Sequence, residues 1–236
     1  MLDAVTSRLR KGALTLLGRS LPTEPVLRCQ THILGDSAYG AWTFCPDKLA
    51  GGALLYSFGV GEDISWDLAM IEEFGVTIHA FDPTPRSAAF VKRQKLPKQF
   101  VFHDYGIADY DGVARFYPPE NSEWVSHTLL ERKATANKAI EVPVRRLESI
   151  MSSLGHRKVD LIKMDIEGAE YAVLQDILAC ETPAGGAGQL LVEFHHRFTG
   201  KGVAQTRASL LALEQKGFNS FHISANGEDW GFLRCG

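Results

Sequence analysis

YSFGVGEDISWD, residues 56–67, places Gly59 and Gly61 at the end of an apolar run and follows them at once with Glu62 and Asp63. The run itself, ALLYSF (53–58), has the length and composition of a buried strand. Ile64, Leu68 and Ile71 then recur at helical spacing until Gly75. A strand, a glycine turn and a helix in that order open a nucleotide-binding βα unit, so the stretch predicts an α/β fold.

Outward from this turn the same alternation continues. VTIHAFD is the next strand, Pro85 opens a helix, and FVFHDYGIA holds a third strand. DGVARFYPP reads as a hairpin excursion, and Glu120 to Lys138 is polar without a period, the composition of a loop over a site. Regularity resumes with IEVPVRRLESIMSSLG, the strand VDLIKMD, a helix carrying Ala169, Val173, Leu174 and Ile177, and the strand LLVEF. A helix ending at Gly217 and the strands FNSFHIS and WGFLRC close the chain. Repeated strand–helix–strand units with apolar strands predict a mainly parallel sheet covered on both faces, with ligands at the carboxyl ends of the strands. Those ends are polar throughout: Gly59 and Gly61, Asp82, Asp104 and Gly106, Asp165 and Glu167, then Glu193, His195 and His196.

Composition narrows the partners. The 236 residues suit one α/β domain, and a formal charge of −3 from 25 basic and 28 acidic side chains gives no drive toward nucleic acid. Cys29, Cys45, Cys180 and Cys235 are far apart and form no Cys-x-x-Cys pair, which points to reduced thiols and a cytoplasmic setting rather than disulfides or a zinc knuckle. No stretch reaches the roughly 20 apolar residues of a transmembrane helix. The opening MLDAVTSRLRKGALTLLGRSLP carries Val5, Leu9 and Leu16 on one helical face among basic residues. It is expected to cap the domain, with reversible contact at an anionic membrane surface as the alternative. The division is therefore an N-terminal helical extension over 1–34 and the ligand-binding domain over 35–236.

The turn also discriminates between ligands. A dinucleotide fingerprint has a third glycine three residues after the second, where this chain has Ile64. Glu62 and Asp63 in the first helical turn suit the helix dipole but repel a pyrophosphate. A cationic ligand fits better. S-adenosylmethionine offers a sulfonium and an ammonium, needs glycines for close backbone approach, and has ribose hydroxyls that Asp82 can accept. An NAD-dependent oxidoreductase is disfavoured on the same grounds.

LLYSFGVGEDISWD, IHAFDPTPRS, VDLIKMDIEGAEYAVLQDIL and LLVEFHHRF together resemble the FkbM family of S-adenosylmethionine-dependent methyltransferases, over most of the chain from about Gly35 onward. The resemblance implies a Rossmann-like class I methyltransferase fold, seven-stranded and mainly parallel with the last strand antiparallel. It also implies methyl transfer to oxygen, often a hydroxyl of a carbohydrate or small secondary metabolite. On it, Gly59, Gly61, Glu62 and Asp63 would line the methionine part, Asp82 would bind the ribose, and the adenine would lie near Asp104, Gly106 and Ile107. Asp165 and Glu167 would face the reacting centre. Many class I enzymes carry an acidic residue where this chain has Ser57, so the ammonium falls to Glu62 or Asp63.

An alcohol needs a base, and the candidates are Asp165, Glu193, His195 and His196. Asp165 could equally be the N-cap of the following helix, and Glu170 reads as a first-turn surface carboxylate. The expectation is a reaction without metal, with a second arrangement in which Asp165 and Glu193, with His195 or His196 nearby, hold a divalent ion that acidifies a bound hydroxyl. Trp124, Ser126 and His127 in the polar span are candidate substrate contacts, for a small-molecule or glycan acceptor. Tyr39 and Trp42 in YGAW read as a lid or a core anchor. A non-catalytic module that binds S-adenosylmethionine is the competing reading.

Overall fold

The structure is a computed structural model, and it describes residues 20–36, 40–117, 139–180, 183–197 and 202–235. Residues 1–19 of the amphipathic opening stretch, Tyr39, Trp124, Ser126 and His127 lie outside the described residues. Residues 20–31 carry neither helix nor strand, and β1 (His32–Leu34) pairs antiparallel with β2 (Trp42–Phe44).

The main sheet has seven strands. In chain order they are β3 (Leu54–Phe58), β4 (Thr77–Phe81), β5 (Phe100–His103), β9 (Leu161–Met164), β10 (Gln189–Glu193), β11 (Phe218–Ile223) and β12 (Asp229–Arg234). Their spatial order is β11-β12-β10-β9-β3-β4-β5, and only β12 runs antiparallel to its neighbours. The chain builds outward from β3 to β5 and then returns to β9 on the other side of β3. The order therefore reverses between β3 and β9, the place where an open α/β sheet leaves a crevice.

Local chemistry accounts for the helix limits. Helix α1 (Ser65–Phe74) stops at Gly75, whose φ of 62° is left-handed. Helix α2 (Pro85–Lys92) has proline at its start and the Thr84 hydroxyl accepting from Ser87 N at its cap. Helices α3 (Leu147–Leu154), α4 (Glu170–Ala179) and α5 (Gly202–Gln215) complete the described set. Alternation along β3 sends Leu55 to one core and Tyr56 and Phe58 to the other, so the sheet is buried on both faces.

The predicted hairpin takes a different form. β7 (Gly112–Phe116) pairs antiparallel with β8 (Ile140–Arg145), which also receives β6 (Gly106–Ile107) in parallel, making a three-stranded sheet beside the crevice. On the opposite side, the fully buried Gln189 amide ties Cys45 to β10, accepting from its N at 2.9 Å and donating to its O at 2.8 Å. Trp42 is 7% exposed, a core anchor rather than a lid. All four cysteines are free, and among the described residues no helix is long and apolar enough to cross a membrane.

Candidate active site

The glycine turn forms because β3 ends where the backbone must change hand. Gly59 and Gly61 have φ of 84° and 57°, and a Cβ on Gly59 would overlap the carbonyl oxygen of Asp165 at the end of β9. Only glycine lets the two central strands approach this closely. Beneath the turn, Lys163 Nζ donates to Gly59 O at 3.4 Å and lies 4.9 Å from the centre of the Trp42 ring.

Asp82, at the end of β4, holds the turn. Its Oδ2 accepts from the backbone N–H groups of Val60 and Gly61 at 3.1 and 2.9 Å, and its Oδ1 accepts from Thr84 N and Thr84 Oγ1 at 2.8 and 2.6 Å. A carboxylate has about four lone-pair sites, and four protein donors occupy them here. The neighbouring acids are engaged too. Asp63 Oδ1 accepts from Ser65 N at 2.7 Å, and Glu62 takes an ion pair of 2.6 Å from Arg86.

The β9–β10 side is built differently. After β9 the chain turns through Glu167 (φ 52°) and Gly168 (φ 99°) before α4 begins. Glu170, fully buried, accepts from Gly168 N and from His195 N, both at 2.8 Å. It thereby fixes the segment after β10 against the start of α4. The His195 ring is buried among carboxylates: Nε2 lies 3.5 Å from Asp165, 3.6 Å from Glu167 and 3.8 Å from Glu193, and Nδ1 lies 3.5 Å from Glu170. Burial alone would depress this imidazole, but Glu170 close to Nδ1 and the charges of Asp165 and Glu167 outweigh it and lift His195 to about 10. Burial, reinforced by Asp165, pushes Glu193 upward as well, and burial raises Asp229 beside it. Glu193 and His195 thus both hold protons more tightly than their ordinary values, as members of one coupled group.

Between the two sides lies a cavity of about 710 Å³. Of the residues predicted for the cofactor, Gly59, Gly61, Glu62, Asp63, Asp82, Gly106, Ile107 and Asp165 line it, and so does Glu167. Ser57 and Asp104 do not: Ser57 is fully buried in β3 and Asp104 is exposed. Glu193 and His195 stand behind Asp165 and Glu167, while His196 is only half-buried. Apolar side chains of Phe58, Phe81, Pro83 and Phe116 complete the walls.

Two expectations change. Asp165 does not cap α4, which starts at Glu170 with Ala169 in the cap position, because the left-handed residues between them carry the chain away first. Glu170 is a first-turn carboxylate but not a surface one, since it points inward to two backbone donors. Sequence reasoning missed Glu170, Lys163, Thr84 and Phe116. The first three lie inside motifs already singled out, and a charge set between the apolar helix positions Ala169 and Val173, as Glu170 is, was the available signal.

A family model described as the methyltransferase FkbM domain matches residues 59–220, more than half of the chain. A protein of Rattus norvegicus named "Probable methyltransferase-like protein 24" is 28% identical over 197 residues, which cover 77% of this chain and 48% of that protein. The Homo sapiens protein of the same name is 30% identical over 179 residues, covering 71% and 42% respectively. The chain thus aligns with less than half the length of either relative.

Proposed function

The chain belongs to the FkbM methyltransferase family, and on that premise we propose that it is an S-adenosylmethionine-dependent O-methyltransferase acting on a hydroxyl of a carbohydrate or small secondary metabolite. The observation that carries the reading is the pairing of a carboxylate-braced glycine turn with a carboxylate–imidazole cluster across one cavity at the sheet's reversal point.

The residues present fit the cofactor. The cavity has room for a molecule of that size, its glycine turn presents backbone without side chains, and its apolar walls by Ile107, Pro83 and Phe116 suit an adenine. Glu62 and Asp63 would attract the ammonium. The ribose would meet Asp82, and a local device makes this feasible although four donors already surround that carboxylate. The Thr84 hydroxyl has one proton and two acceptors in reach, Asp82 Oδ1 at 2.6 Å and Ser87 Oγ at 2.8 Å. By swinging to Ser87 it vacates one acceptor site for a ribose hydroxyl.

When bound, S-adenosylmethionine would supply a methyl group already activated by a sulfonium. The chain's own tasks are then to orient the acceptor, exclude water and take up a proton. Asp165 and Glu167 line the cavity and would orient the hydroxyl, and Asp165, which faces it with His195 and Glu193 behind, would take up its proton.

Calorimetry with S-adenosylhomocysteine and NAD tests the reading. Micromolar binding of the former and none of the latter is expected, with methyl transfer to a hydroxylated acceptor in a screen with isotopically labelled cofactor. Tighter binding of NAD would overturn it. Binding without transfer to any acceptor would favour a non-catalytic module.

A further inference from the structure

We propose that Asp165, Glu167 and His195 form a binding site for one divalent transition-metal cation at the β9–β10 end of the cavity. One ligand atom each of Asp165, Glu167 and His195 lies within 4.8 Å of the others. Asp165 Oδ1 and Glu167 Oε2 stand 3.5 and 3.6 Å from His195 Nε2, with Glu193 Oε1 at 3.8 Å. Those separations exceed the roughly 2.7–3.2 Å of an N–H···O hydrogen bond. They are close to the spacing of donors around a single ion, since ligands about 2.1 Å from a common centre stand about 3.0–3.4 Å apart at adjacent corners of an octahedron or tetrahedron. The two carboxylates lie within 4.8 Å of each other, so a side-chain movement of up to about 1.5 Å would close the set.

The imidazole is also held as a metal ligand is held. Its Nδ1 faces Glu170 Oε1 at 3.5 Å, and that carboxylate is locked by two backbone donors inside the core. A carboxylate behind the far nitrogen orients a ligating histidine and raises its basicity. Asp165 Oδ1 itself is inaccessible to solvent and has no hydrogen-bond partner among the described residues, while the rest of its carboxylate faces the cavity where an ion would enter. One imidazole and two carboxylates suit manganese, iron or zinc better than magnesium or calcium, which favour all-oxygen sets. Three donors leave positions open for the oxygen of an acceptor, so the ion would hold and acidify the hydroxyl. That use rests on the methyltransferase reading; the existence of the site does not.

The test is a titration of the full chain, stripped with chelator, by manganese(II), followed through loss of the free-ion electron paramagnetic resonance signal. One equivalent bound is expected. The double variant Asp165→Asn/Glu167→Gln should bind at least tenfold more weakly, and Glu170→Gln about tenfold more weakly through the loosened imidazole. Thermal unfolding in chelator checks that each variant is folded. Should Glu170→Gln fail to fold, the double variant on the cavity surface carries the comparison alone. No binding by the native chain at millimolar manganese, or equal binding by the folded double variant, would overturn the proposal. Manganese binding without S-adenosylhomocysteine binding would keep the metal site and remove the methyl-transfer reading.

Discussion

The two rims of the cavity use acidic residues in opposite ways. On the β3–β4 rim, Asp82 accepts four hydrogen bonds from its own chain, Asp63 braces the start of α1, and Glu62 is paired with Arg86. On the β9–β10 rim, Asp165, Glu167 and Glu193 converge on one imidazole at distances longer than hydrogen bonds. The first rim is finished as a structure and so holds a turn in one shape. The second keeps ligand-facing oxygens, and the proton affinities there are shifted by burial and mutual charge. On the proposed function, pre-organisation for binding and readiness for chemistry would sit on separate strands.

The sharpest way to break this contrast is Asp165→Asn. With an acceptor in hand, turnover is expected to fall by about 100- to 10,000-fold, while S-adenosylhomocysteine affinity moves far less. If calorimetry shows the two falling together, the rims do not divide the work. Gly59→Ala strikes the contact that joins them. A methyl group there meets the Asp165 carbonyl and a backbone φ of 84° disfavours any side chain. Cofactor affinity should drop by more than about 100-fold, with a stability loss of roughly 2–4 kcal/mol by denaturant unfolding.

Asp82→Ala leaves the N–H groups of Val60, Gly61 and Thr84 without their acceptor. An orphaned buried donor costs about 1–3 kcal/mol, so a loss near 3 kcal/mol is expected even without ligand. Asp82→Asn, which keeps one acceptor oxygen, should lose less. A variant that weakens binding without lowering stability would show that Asp82 serves the ligand and not the turn.

The smallest effect lies away from both rims, at a half-buried cluster where His79 Nδ1 and His103 Nε2 are 2.9 Å apart and His156 Nδ1 meets the Tyr56 hydroxyl at 2.6 Å. Burial, then the neighbouring imidazoles, hold His79 down at about 4, and burial also depresses His103 and His156. The unfolded chain therefore binds more protons than the native one below the ordinary histidine value of about 6.5. Stability should fall as pH drops from there toward 4, with cofactor affinity little changed until unfolding begins. His79→Phe should flatten that slope in a pH series of thermal melts, and an unchanged slope would assign the acid sensitivity elsewhere.

Much of this architecture was legible because strand and helix periods are local properties. ALLYSF, VDLIKMD and LLVEF became β3, β9 and β10 within a residue or two, and Gly75, Gly155 and Gly217 stopped helices as their freedom at positive φ allows. The candidate site was legible to the extent that polar residues ended apolar runs, which placed Gly59, Asp82 and Asp165 on one cavity. Pairing was harder. DGVARFYPP gave no sign that its partner strand lies beyond the polar span, at Ile140–Arg145, because hydrogen bonds between distant strands leave no period in the sequence.

What the sequence determined by itself was the alternation of elements, the handedness of the turns and the stock of acids and histidines at the strand ends, since each follows from residues within one turn or strand of one another. What only the tertiary structure decided was how that stock divides. Asp82 and Asp165 are both aspartates after apolar strands, yet one meets four donors and the other faces an imidazole. Which partners a carboxylate finds depends on the strand beside it, and that neighbour is chosen by the folding of the whole sheet.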